Sequence, residues 1–167
     1  MVTVGVLSDT HGLLRNEVYA AFEGADRIVH AGDVGEPAIL TELEIIAPVT
    51  VVPGNVDGWE VASRWPEVAE LELEGFRITV VHGHQWGSPS VQDLLSAHPE
   101  SDVIIYGHTH QALCERHGRT LVLNPGSAGP QRFGKPATAA VLTLRRGARP
   151  EARVLTLVPR SAKTPRG

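Results

Sequence analysis

An α/β fold with parallel strands is predicted by three features of the sequence. Over residues 1–52, apolar runs alternate with segments of helical spacing in the order strand, helix, strand, helix, strand. Glycine or another turn residue, joined by Asp, Asn or His, closes nearly every one of these runs. The 167 residues are 42% hydrophobic and 20% charged, which suits one domain with a sizeable core and excludes a disordered chain.

Residues 2–7 form a short, mostly apolar run, as expected of a buried strand. The polar loop Ser8-Asp9-Thr10-His11-Gly12 follows. Residues 15–22 have helical spacing, with Val18, Ala21 and Phe22 on one face. A second strand over 26–30 runs into Ala31-Gly32-Asp33, and a helix over 37–47 starts near Glu36 or Pro37. A third strand over 49–52 runs into Pro53-Gly54-Asn55. The pattern then changes. Residues 68–73 alternate, Glu74-Gly75 turns the chain, and 76–81 returns as a strand, so the three read as a hairpin. A helix over 91–97 precedes a strand over 103–106, which leads into Gly107-His108-Thr109-His110. Further strands are expected over 112–115, 120–123, 139–144 and 153–158. The domain is expected to span 1–158. Residues 159–167 carry Arg160, Lys163 and Arg166 with little apolar content and are expected to be a flexible tail.

Composition narrows the function. Fifteen basic and nineteen acidic residues give a net charge of −4, which argues against non-specific nucleic-acid binding. Cys114 is the single cysteine, so neither an intramolecular disulfide nor a thiolate metal cluster can form. No apolar run reaches the roughly 18 residues that cross a membrane, and Met1-Val2-Thr3-Val4 has no basic segment leading into a signal helix. A cytoplasmic protein without a membrane partner is expected. Eight histidines are more than the three phenylalanines and two tyrosines together, and two His-x-His patterns stand out: His82-Gly83-His84 and His108-Thr109-His110. Clustered histidines indicate metal or acid–base chemistry.

The polar residues that follow the strands form a set. Asp9 and His11 follow the first, Asp33 the second, Asn55 the third, His82 the fifth, and His108 and His110 the strand before them. Parallel strands carry such residues to one edge of a sheet, where α/β proteins bind ligands. The set contains only oxygen and nitrogen donors, which suit manganese, iron, zinc or nickel better than a structural zinc site. Seven donors are too many for one tetrahedral ion and fit two ions sharing a carboxylate. Two ions about 3.5–4 Å apart can activate a bridging hydroxide and clamp a phosphoryl oxygen.

Asp9-x-His11, Gly32-Asp33, Gly54-Asn55-x-Asp57, His82-Gly83-His84 and Gly107-His108-Thr109-His110 together resemble the calcineurin-like metallophosphoesterases. With Leu123-Asn124-Pro125-Gly126-Ser127, the chain resembles the small prokaryotic phosphodiesterases related to the retromer subunit of the same fold. The resemblance implies a two-sheet β-sandwich flanked by helices, in four α/β/β/α layers. It also implies a dinuclear centre, with Asp9, His11, Asp33 and His110 on one ion, Asn55, His82 and His108 on the other, and Asp33 bridging. Two divalent ions per chain follow, manganese first, with iron, nickel or zinc compatible. The implied activity is hydrolysis of a small phosphodiester, and such small members often form homodimers. The alternatives are a phosphomonoesterase and an interaction scaffold with a residual metal site.

One position departs from the pattern. Larger relatives place a histidine directly after the asparagine, whereas this chain has Val56, which has no proton to give. Loss of a general acid typically costs about 10²–10⁴-fold, least where the leaving group is good. Asp57 and His84 are candidates for a substitute proton relay, and Arg132 for a phosphate contact. His30 reads equally as a support for the metal loops or as a structural histidine. His98 at a helix end, His117 in an exposed turn and Cys114 in a strand read as structural. Asn124-Pro125-Gly126-Ser127 reads as a rigid turn beneath the metal loops. Trp59, Trp65 and Trp86 read as packing at the rim or an interface.

Overall fold

The structure, a computed structural model, describes residues 1–132 and 134–159. The tail expected from residue 159 therefore lies outside the described residues from 160 onward.

Two mixed sheets of five strands each build the molecule. The first contains β1 (Val2–Leu7), β2 (Arg27–His30), β3 (Val49–Val51), β9 (Thr138–Leu144) and β10 (Glu151–Thr156), in the order β10-β9-β1-β2-β3. The second contains β4 (Val68–Leu73), β5 (Phe76–Val81), β6 (Val103–Ile105), β7 (Leu113–His117) and β8 (Thr120–Asn124), in the order β4-β5-β6-β8-β7. Each sheet has three neighbouring parallel strands, β1-β2-β3 in one and β5-β6-β8 in the other, with antiparallel strands outside them.

Strand alternation assigns every apolar side chain to a layer. Val4, Val6, Val29, Ala140 and Leu142 of the first sheet meet Ile78, Val80, Val103, Ile105, Leu121 and Leu123 of the second, forming the core between the sheets. The opposite face of the first sheet, with Leu7, Ile28 and Val141, is covered by Val18 of α1 (Glu17–Ala21), Leu40 and Leu43 of α2 (Ala38–Glu44) and Val61 of α3 (Trp59–Ala62). The outer face of the second sheet, with Val81, Ile104 and Val122, is covered by Leu94 of α4 (Val91–Ala97). These are the four layers expected. Ser90 caps α4 in a reciprocal capping box with Asp93.

Several boundaries differ from the sequence reading. α1 starts at Glu17 rather than 15 and stops at Ala21. β10 begins two residues early because antiparallel pairing with β9 fixes it from Glu151↔Thr143 to Thr156↔Thr138. β7 runs on through charged residues to His117 because its hairpin partner Thr120 sets where pairing ends. Neither α3 nor the 3₁₀ turn His84–Trp86 was expected, and both are a single turn or less, too short to leave a periodic signal. No helix of the described residues is long and apolar enough to cross a membrane.

Candidate metal centre

The carboxyl ends of the parallel strands in both sheets point to one edge of the sandwich, and the loops there carry the polar residues. Parallel pairing continues past the strands: Asp9 N–H donates to the Gly32 carbonyl at 2.9 Å and His11 N–H to the Asp33 carbonyl at 3.0 Å. In the second sheet, Gly107 N–H donates to the His82 carbonyl at 3.0 Å. Ala128 N–H reaches the Ser8 carbonyl at 3.0 Å and ties the two sets of loops together.

The backbone is strained where these side chains converge. Asp9, His11, Asp33, His108 and His110 all have positive φ, between 46° and 68°. Each such non-glycine residue costs about 1–2 kcal/mol. The glycines of the motifs have a related cause. A Cβ on Gly54 would collide with the Asp33 carboxylate, and one on Gly107 with Ser8 Oγ and the Asp9 carboxylate. The loops pack directly against the acids.

Two clusters result. Asp9, His11 and His110 bring one donor atom each within 4.8 Å of the others, and Asp33, His82 and His108 do the same. Asp9 Oδ2 accepts from Ser8 Oγ at 2.6 Å and from His108 N–H at 3.2 Å. Its Oδ1 is buried with no hydrogen-bond partner and faces His110 Nε2 at 3.2 Å and His11 Nε2 at 3.7 Å. Asp33 Oδ1 accepts from Val56 N–H at 3.0 Å. Its Oδ2 lies between the clusters, 3.2 Å from His82 Nε2 and 3.7 Å from His11 Nε2. Burial by itself would raise the Asp9 carboxyl, but the facing imidazoles of His11 and His110 outweigh it and hold the group well below the usual carboxylate range. Asp33 is lowered too, with His82 overcoming its burial. Burial works to lower His82, but the Asp33 and Asp9 carboxylates raise it on balance.

His82 tests whether these residues fit a cation. Its Nδ1 sits 2.7 Å from the Ala31 carbonyl, which can only accept, so Nδ1 carries the proton. In its neutral form the ring then points an Nε2 lone pair at Asp33 Oδ2, and the buried Nε2 has no hydrogen-bond partner. His11 Nε2 and His110 Nε2 also face each other, 3.3 Å apart. Buried lone pairs that converge in this way need a positive charge between them. The donors fit divalent cations.

The remaining candidates divide. Asn55 is exposed in the turn after β3. His84 borders the second cluster, its ring centroid 5.4 Å from that of His82, with a buried, unpartnered Nδ1. Asp57 accepts from Gly35 N–H at 3.0 Å on one oxygen and from Gly54 N–H at 2.8 Å on the other, which makes it a clamp between two loops. Arg132 is exposed and lines a cleft beside His108 and His110. His30 is buried and bonded at both nitrogens, a structural role. His98 packs edge-on against Trp86, and His117 pairs with Glu115 at 2.9 Å on the surface. Trp65 and Trp86 pack onto the cores, whereas Trp59 is 81% exposed.

Sequence reasoning missed two of the groups that hold the donors in place, and placed Asn124 only as part of a rigid turn beneath the metal loops. Ser8 and Val56 N–H fix the two carboxylates. Asn124 donates to the Gly107 carbonyl at 3.1 Å and to Thr109 Oγ1 at 3.0 Å, and its Oδ1 accepts from Gly126 N–H. Asn124 closes β8 as the donors close their strands, and that position was the available signal.

A sandwich of this topology thus carries paired carboxylate–imidazole clusters, suited to divalent metal ions, at its parallel strand ends. Residues 2–147 match the calcineurin-like phosphoesterase superfamily domain, and the chain belongs to that family. It is 38% identical over 149 residues to a probable metallophosphoesterase of Methanothermobacter thermautotrophicus, covering 85% of this chain and 84% of the relative. It is 30% identical over 169 residues to the phosphodiesterase YfcE of Escherichia coli, covering 85% of this chain and 88% of that protein. Vacuolar protein sorting 29 of Cryptosporidium parvum shares the fold with a TM-score of 0.78 at 18% identity, over 92% of this chain and 96% of that one.

Proposed function

We propose that the chain is a phosphodiesterase with a dinuclear metal centre. In this reading Asp9, His11 and His110 hold one divalent ion, Asn55, His82 and His108 hold the other, and Asp33 is shared. The observation that carries the reading is the pair of buried, unpartnered atoms Asp9 Oδ1 and His82 Nε2, each aimed at further donors. When bound, two divalent ions supply Lewis-acid polarisation of phosphoryl oxygens and make water a usable nucleophile near neutral pH.

The chain's own groups do the rest. Ser8 and the His108 amide orient the Asp9 carboxylate so that Oδ1 alone faces His11 and His110. The Ala31 carbonyl fixes the His82 tautomer and so aims its free nitrogen into the site. Val56 N–H takes one oxygen of Asp33 and leaves the other between the clusters. Manganese, a hard ion that accepts mixed oxygen and nitrogen donors, is the first choice of metal. The preference for diesters rests on Val56, which is 54% exposed at the position where an acid would serve a poor leaving group. The name of the relative from Escherichia coli points the same way.

The test is hydrolysis of an activated diester and the matching monoester by metal-free protein reloaded with Mn²⁺, with Asp33→Ala in parallel. Wild type is expected to cleave the diester faster, and Asp33→Ala to lose about 10²-fold or more along with metal at both positions. Full turnover by Asp33→Ala with two ions bound would remove Asp33 from the site. Two bound ions in wild type with no turnover of either ester would favour a scaffold.

A further inference from the structure

The cleft beside the two clusters has a volume of about 270 Å³. Its walls include His108 from one cluster and His110 from the other, so it opens on both. Arg132, Lys135, Gln131 and Ser127 also line it, and among the described residues no carboxylate does. Two formal positive charges thus face one small cavity in a chain whose net charge is −4. Lys135 N–H donates to the Arg132 carbonyl at 3.1 Å, which holds the two cations beside one another. Among the described residues neither side chain is in an ion pair.

We propose that this cleft binds a terminal phosphate carried on one arm of the substrate, so that the preferred substrate is a phosphodiester with a second phosphate. The proposal rests on the phosphodiesterase reading and deepens it. A guanidinium offers forked donors that match phosphate oxygens, and an ammonium adds a point charge. The reacting phosphorus does not need these side chains, because the donor clusters already serve it. The cleft is smaller than the roughly 300–1,000 Å³ of pockets that enclose drug-sized ligands, which suits a compact anionic group.

Two measurements test this. Chelator-treated, metal-free protein is titrated with pyrophosphate and followed by amide NMR. Shifts are expected around residues 131–137, with affinity at least about tenfold weaker in the double variant Arg132→Gln/Lys135→Gln. In the second, Mn²⁺-loaded enzyme is given thymidine 3′-(4-nitrophenyl phosphate) with and without a 5′-phosphate. Wild type is expected to favour the phosphorylated compound by about tenfold in kcat/KM, mostly through KM, and the double variant to bring the ratio near one. Absence of the shifts, their persistence at full strength in the double variant, or a ratio near one in wild type overturns the proposal. Failure to turn over either compound counts against the phosphodiesterase reading, and the titration still decides whether the cleft binds the anion.

Discussion

At the carboxyl end of β2, His30 has both ring nitrogens engaged. Gly32 N–H donates to Nδ1 at 3.1 Å, so the proton sits on Nε2, which reaches Thr10 Oγ1 at 3.0 Å, and Thr10 donates onward to the Val34 carbonyl. At the carboxyl end of β5, His82 is equally buried but has one nitrogen engaged, and its other lone pair meets a carboxylate. Both are buried histidines at strand ends of one sandwich. What separates them is hydrogen-bond completeness. Local hydrogen bonds satisfy the first ring, whereas the second is satisfied only by positive charge at Nε2, a second proton or a metal ion, so one serves the fold and the other serves the site.

The largest effect expected from this contrast is on metal binding. His82→Asn keeps a donor near the Ala31 carbonyl and removes the free nitrogen. Affinity for the ion of the Asp33 cluster should fall about 10²-fold or more, measured by competition with a chelator of known strength. Stability of the metal-free variant should stay within about 1 kcal/mol of wild type in urea denaturation. A metal-free protein destabilised as severely as a core mutant would make His82 a structural residue and erase the distinction from His30.

His30→Ala should do the reverse. It strands the Gly32 amide, removes a partner of Thr10 and opens a cavity, so the expected loss is about 2–4 kcal/mol of stability. Its loss of metal affinity should be smaller than that of His82→Asn. The penalty should also depend on pH. Burial pushes the His30 pKa down to about 4, against about 6.5 in the unfolded chain. The folded state therefore binds fewer protons between these values, and wild type loses His30-linked stability as pH falls from about 6.5 to about 4, up to ~3 kcal/mol. The cost of His30→Ala should thus be greatest at pH 7 and smaller at pH 4.5. A cost that is flat with pH would show that burial leaves the His30 pKa where it lies in the unfolded chain.

This contrast marks where the sequence stops being legible. The donors could be found because each follows a strand with a glycine or a turn residue beside it, and that pattern is local. The apolar runs of β1, β5, β6, β8 and β9 and the alternation of β4 are local too, and the main strands fall where these place them. The division into two sheets came from the resemblance to a family, since periodicity does not say which strands share a sheet. The limits of β7 and β10 are set by partners across the sheet. Whether His30 or His82 was the satisfied ring depended on Thr10, Gly32 and Ala31, and no spacing in the sequence reports those bonds. The bonds of Asp57 were out of reach for the same reason, because its two amide donors, on Gly35 and Gly54, come from separate loops.

Asn124 offers the smallest and most discriminating test. It is buried and touches neither cluster's donor atoms, yet it joins the loop of His108 and His110 to the loop of Pro125–Gly126 through three hydrogen bonds. His108 belongs to the Asp33 cluster and His110 to the Asp9 cluster. A change at Asn124 should therefore weaken both ions together, whereas His82→Asn should act mainly on one. For Asn124→Ala the expected loss is about tenfold at each position, the lower end of what outer support of metal ligands contributes. Asn124→Asp should be worse than Asn124→Ala, since it keeps the acceptor for Gly126 N–H but turns a carboxylate oxygen toward the Gly107 carbonyl. Metal titrations that resolve two binding steps would check this. Weakening confined to one step would mean that His108 and His110 are held independently, and Asn124 would then be a turn residue of the fold, on the same side of the division as His30.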